Sequence, residues 1–233
     1  LLYVKLPFLG GRRCKNLIDM VKYGSLMEAL EGFRGTEGKG VEVLEGQFRE
    51  LAEYLFYGGY FSVNGKRRVY LRDLEFYYHE EEGSVQDLIM YHRDAKSGKK
   101  KAYFPLGMLH THQSGVDITF ENEARRYRAA VLVRGYNAME AGELPGKEYD
   151  KHSTHLYDDL FMAFPLVEGI HIEWIHEPVQ VDGYEKILQD VRMNVCEYDE
   201  KGWKRVFEES GQKTENGKYV QDMRMWRFIR DID

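Results

Sequence analysis

The stretch from Leu74 to Arg134 constrains the chain more than any other. It opens on Leu74-Glu75-Phe76-Tyr77-Tyr78-His79 and closes on Ala130-Val131-Leu132-Val133-Arg134, two apolar runs of the kind that fit a pleated surface. Just upstream, residues 60–63 and 68–78 are predicted strands joined through Asn64-Gly65, a dipeptide that favours a tight hairpin turn. Residues 106–112, 116–120 and 129–136 are predicted as further strands. His92, Tyr103, His110, His112 and Asp117 all fall inside this block. A carboxylate at Glu75, within an aromatic strand, is costly to bury without a partner or a task. Such surroundings also raise a carboxyl pKa toward the range useful for acid–base chemistry. Glu75 is therefore the leading functional candidate.

Helical spacing brackets the strand block. Leu17, Ile18, Met20, Val21, Leu26, Met27 and Leu30 recur at helical intervals over 16–32, and Gly32, Gly35, Gly38 and Gly40 follow as a flexible link. Phe48, Leu51, Ala52 and Leu55 place one apolar face on a second helix over 47–56. A third helix is expected over 154–164, with Ser153 or Thr154 as its N-cap. Late strands are expected at 192–198 and 225–229, and the polar stretch 199–222 reads as loop. The simplest organisation is an N-terminal helical extension, 1–46, ahead of one α+β domain, 47–233.

Size and composition narrow the function classes. A chain of 233 residues, 43% hydrophobic and 31% charged, can bury a substantial core. Two cysteines, Cys14 and Cys196, give neither a disulfide framework nor a CxxC site, so a cytoplasmic setting is expected. No apolar run approaches the roughly 18 residues of a membrane span. The net charge of −6 argues against nonspecific coating of nucleic acid, where phosphate contacts supply most of the binding. The basic clusters 96–101 and 125–128 flank the strand block and read as solvated turn charges.

The order of these segments resembles the methylpurine-DNA (3-methyladenine) glycosylases. The likeness begins at Gln47-Phe48-Arg49-Glu50-Leu51-Ala52 and continues through Leu74-Glu75-Phe76-Tyr77 and the acidic Glu80-Glu81-Glu82. Pro105-Leu106-Gly107-Met108-Leu109 and Val131-Leu132-Val133-Arg134-Gly135-Tyr136 extend it, and Arg192-Met193-Asn194-Val195 and Trp226-Arg227-Phe228 complete it. The resemblance implies one α+β domain whose curved, mostly antiparallel sheet is surrounded by helices. It implies excision of an alkylated or deaminated purine in DNA base excision repair, by a monomer without cofactor or metal. Glu75 would be the general base, and Tyr77 would stack on the flipped base. His92, His112, Glu121 and Arg134 would complete the substrate pocket, Glu121 standing where the family has an asparagine. The family's wedge tyrosine falls at Ser114, which cannot fill the gap left by an extruded base. That departure implies single-stranded DNA, a free nucleoside or a nucleotide-like molecule as substrate, or an inactive binding module on the same fold.

A rival reading rests on Leu109-His110-Thr111-His112, which resembles the His-x-His strand of the JAMM-type zinc proteases. Two histidines two apart on a strand share a face and suit a metal. That family needs Ser and Asp roughly ten residues beyond the second histidine; Glu121 and Glu123 stand there instead, and Asp117 comes early. No zinc at His110 and His112 is the expectation. His152, His155 and Tyr157 read as helix capping and packing, and His171 and His176 carry no motif.

Overall fold

The computed structural model describes residues 22–85, 87, 90, 101–140, 142–143, 151–162, 169–178, 186–193 and 224–231. Two helices open it. Helix α1, Leu26–Gly32, starts at Ser25, whose hydroxyl accepts the amide of Glu28 at 3.1 Å and satisfies one of the first-turn donors. Helix α2 runs from Glu42 to Tyr57 and buries Leu44, Phe48, Leu51, Ala52 and Leu55 on one stripe. It begins five residues before the expected position.

Among the described residues nine strands follow, all antiparallel: β1 Gly59–Val63, β2 Arg67–Glu80, β3 Leu109–His112, β4 Gly115–Thr119, β5 Tyr127–Glu140, β6 Lys151–His152, β7 Ile172–His176, β8 Lys186–Asp190 and β9 Arg227–Asp231. The main path is β3-β4-β5-β2-β1-β7; β6 joins β5, and β9 joins both β2 and β8. The sheet is strongly curled into a half-barrel, so the described protein is α+β with three helices. Strand β2 is its spine. One edge pairs with β5 from end to end, while the other is divided between β1, at residues 67–69, and β9, at residues 73–75. A register shift between Leu71 and Leu74 falls where the partner changes, and irregularities of this kind sharpen local twist. The β1–β2 hairpin turns through Asn64 and Gly65, both at positive φ (52° and 66°), as the dipeptide implied.

Alternation divides the central strands between two faces. Leu74, Phe76 and Tyr78 of β2, with Val131 and Val133 of β5, enter the hydrophobic core beneath α2. Phe48 is central there, with its ring 4.6 Å from Phe76, 5.5 Å from Phe33 and 5.3 Å from Trp226. Leu26, Ala29 and Leu30 of α1 belong to the same core. Glu75, Tyr77 and Leu132 occupy the opposite face.

Several sequence expectations change in detail. Of the first predicted helix, only Leu26–Gly32 is helical within the described residues, and 1–21 lie outside them. The strand expected from 106 starts at Leu109, because 105–108 form a turn with Gly107 at φ 73°. Helix α3 covers only Ser153–Tyr157 before passing into a π-helical turn, Asp158–Met162. Its N-cap is His152, without a side-chain cap, because the chain enters it directly from β6. The late strand is Lys186–Asp190 rather than 192–198; Val191–Met193 is irregular and 194–198 lie outside the described residues.

Candidate functional site

The register of three strands aligns the site. Asp117 of β4 and Glu75 of β2 both sit directly opposite Leu132 of β5, one on each side. His110 lies opposite Asp117, and Arg227 opposite Glu75. His110, Asp117, Leu132, Glu75 and Arg227 thus form one row across the face that turns away from α2. At about 4.8 Å per strand, the backbones at Glu75 and Asp117 stand roughly 10 Å apart. Tyr77 is on the next row of the same face, as its two-residue offset from Glu75 requires.

Glu75 is fully buried. Its Oε1 accepts the Tyr77 hydroxyl, its Oε2 accepts the Met193 amide at 2.9 Å, and Arg134 Nε stands 3.9 Å from Oε2. Burial pushes the carboxyl above its ordinary range, against the opposing pull of Arg134, Tyr77, Met193 and Arg192. The Tyr77 phenol is pushed well above its usual range by burial and by the adjacent Glu75 carboxylate. The Tyr77 ring is half-buried.

Arg192 braces the pair from above. Its guanidinium lies 4.8 Å from the Tyr77 ring centroid and 5.1 Å from that of Trp226, a fully buried residue. Arg192 Nη1 donates to Asp87, whose amide donates to His79 Nδ1 at 3.1 Å. Arg227 grips Asp73 through two hydrogen bonds of 3.0 and 2.7 Å. The segments that carried the family likeness, at 192–193 and 226–228, therefore both converge on Glu75.

At the other end of the row, Asp117 faces two imidazoles. His112 Nε2 is 3.0 Å from Oδ1, and His110 Nδ1 is 3.8 Å from Oδ2. Burial opposes ionisation of Asp117, but the two facing histidines outweigh it and hold the carboxyl below its usual range. The His110 ring stacks on Phe104, centroids 4.5 Å apart, and on His112 at 5.6 Å.

Of the residues named from sequence, Glu75, Tyr77 and Arg134 come together. His112 joins the adjoining end of the face beside Asp117. Glu121 lies two residues past the end of β4, where its carboxylate accepts from Arg128 at 3.1 Å and from the Phe104 amide at 2.8 Å. His92 lies outside the described residues. The Ser114 amide donates to His112 Nδ1 at 3.2 Å within the two-residue β3–β4 turn. Sequence reasoning singled out His110 and Asp117 but set them aside as an incomplete zinc motif, quoted Arg192 without a role, and did not name Asp87. A two-residue loop at Gln113-Ser114 would have registered His110 against Asp117; nothing local marks Arg192 or Asp87.

A separate cleft of about 510 Å³ lies at the far end of β2, lined by Arg34, Thr36, Tyr78, Glu80, Arg125 and Tyr127 among others. Arg125 is paired with Glu37 and the neighbouring Arg126 with Glu82, so its positive charge is matched locally.

No protein-family model, no curated protein and no solved structure matches this chain.

Proposed function

We propose that the chain is a purine N-glycosidic hydrolase resembling the methylpurine-DNA glycosylases, with Glu75 as general base. The observation that carries this reading is a fully buried carboxylate, raised in pKa, hydrogen-bonded to a half-buried tyrosine on the same strand face. Cleavage of an N-glycosidic bond develops positive charge on the sugar. A carboxylate at that point both aims water at the anomeric carbon and stabilises the charge. Tyr77 offers its ring to a base removed from its stack, and Arg134, beside Glu75, supplies a cation for a phosphate or base edge. The chemistry requires neither an oxidant nor a cofactor.

A second reading, a non-catalytic nucleotide or nucleic-acid binding module of the same fold, draws on the occupancy of Glu75. Both its oxygens already accept hydrogen bonds, one from Tyr77 and one from Met193. A carboxylate so engaged holds a water only through its remaining lone pairs.

One experiment separates them. Wild type and Glu75→Gln are incubated with single- and double-stranded oligonucleotides bearing alkylated or deaminated purines, and abasic sites are counted. Base release by wild type, lower by about 10²–10⁴ in Glu75→Gln with binding retained, is the expected result. Single-stranded substrates should be preferred, since Ser114 offers no wedge and unstacking costs least there. Equal activity in both proteins removes Glu75 from the mechanism, and tight binding without release by either selects the binding module.

A further inference from the structure

We propose that His110, His112 and Asp117 form a binding site for one borderline divalent transition ion, with Zn²⁺ as the reference ion. The inference is independent of the glycosidic reading and rests on the β3–β4 hairpin. His110 and His112 are two apart on β3 and so share a face. Asp117 faces His110 directly across the pair, on that same face. The carboxylate that came too early for a linear motif is brought under both imidazoles by the turn.

The donor geometry suits a single ion. One nitrogen from each ring and one carboxylate oxygen all lie within 4.8 Å of one another. Zinc holds such donors at about 2.0–2.2 Å, which sets tetrahedral ligand pairs roughly 3.3–3.6 Å apart. His112 Nε2 is 3.0 Å from Asp117 Oδ1 and His110 Nδ1 3.8 Å from the other oxygen, Oδ2, so the three donors must draw together around the ion. Two imidazoles and a carboxylate match Zn²⁺ and its transition-metal neighbours, whereas Mg²⁺ and Ca²⁺ select all-oxygen sets. Asp117 is the most buried of the three and the rings lie above it, 19% and 11% exposed at His110 and His112.

Loading has one specific local consequence. A neutral imidazole that coordinates through Nε2 carries its proton on Nδ1. The Ser114 N–H now donates to that Nδ1, so two hydrogens would face each other once the ion is bound. The Gln113-Ser114 turn must therefore yield as the metal enters, and His112 must switch tautomer.

The test uses the full chain, stripped with a chelator and titrated with Zn²⁺ against a chromophoric competitor. Expected are one ion per chain with a dissociation constant of about 1 μM or tighter, and visible absorption of tetrahedral character when Co²⁺ replaces zinc. His112→Ala and Asp117→Ala should each weaken binding by about 100-fold or more. Glu75→Gln, two strands away, should bind as wild type does. Nitrogen NMR of the histidines should show Nδ1 of His112 protonated only in the loaded protein. His110→Gln, at the most exposed of the three positions, gives a second ligand deletion should the buried variants fail to fold. No saturable binding by wild type, or binding that survives ligand deletion, would overturn the proposal, the latter meaning an adventitious ion only.

Discussion

At the scale of single residues, the protein keeps ionisable groups in places that resist their charge. Glu121 shows the effect most directly. Its side chain and that of Arg128 are both fully buried, and burial pushes the Glu121 carboxyl up to about 7 despite the Phe104 amide and Arg128. A carboxyl raised in the folded state binds its proton more tightly there than in the unfolded chain. Its contribution is thus fully present below the ordinary carboxyl pKa and is lost as pH rises through about 7. Urea unfolding from pH 4.5 to 8 should show stability falling with pH, by up to about 3 kcal/mol from this group. Glu121→Gln, which mimics the neutral carboxyl, should flatten that slope. An unchanged slope would assign the pH dependence elsewhere, with Glu75, shifted in the same direction, as the next candidate. The candidate site was legible in part at this scale. Glu75 and Tyr77 share a face by simple alternation, and a carboxylate among aromatics is conspicuous. Asp117 was not, because its significance lies in what the neighbouring strand places opposite it.

At the scale of elements, legibility follows burial. Helix α2 was readable because its apolar residues recur on one stripe that the core needs. Strands β2 and β5 were readable because both of their faces are largely buried. Strands β7 and β8 are only partly covered, and their mixed sequences, Ile-Glu-Trp-Ile-His and Lys-Ile-Leu-Gln-Asp, carry little periodic signal. The end strand β7 depends instead on close backbone approach at Gly59. A Cβ there would stand 1.9 Å from the Ile175 carbonyl oxygen, with the Ile175 carbonyl carbon and the Trp174 indole nitrogen close behind. Backbone cannot swing aside as a side-chain tip can. Gly59→Ala is therefore expected to force β7 off β1 and to destabilise the protein by about 3 kcal/mol. Hydrogen exchange should show the loss concentrated in the amides of 172–176; uniform loss, or none, would contradict this account.

At the scale of the whole molecule, two properties bear on its surroundings. Net charge is −6, and among the described residues no helix is long and apolar enough to cross a membrane. The broad class, helices against a strand-rich sheet, followed from the order of patterns along the chain. The curl and the seam did not, since they depend on which distant segments meet. Strand β2 takes β1 from beside it in sequence, β5 from some fifty residues on, and β9 from about 150 residues on. Its two halves thus mature at different times during synthesis. At about 5–20 residues per second, β9 trails β5 off the ribosome by roughly 5–20 s. In that interval residues 73–75 of β2 are paired on one side only, Phe48 and Phe76 lack Trp226, and nothing contacts Glu75 from the 192–193 segment. Late closure of this kind makes for slow folding and a transiently adhesive edge. Nascent chains stalled after β5 should therefore be cleaved by protease around 70–80, and chains stalled beyond β9 should resist. Equal resistance in both would mean that the half-barrel closes without its last strand.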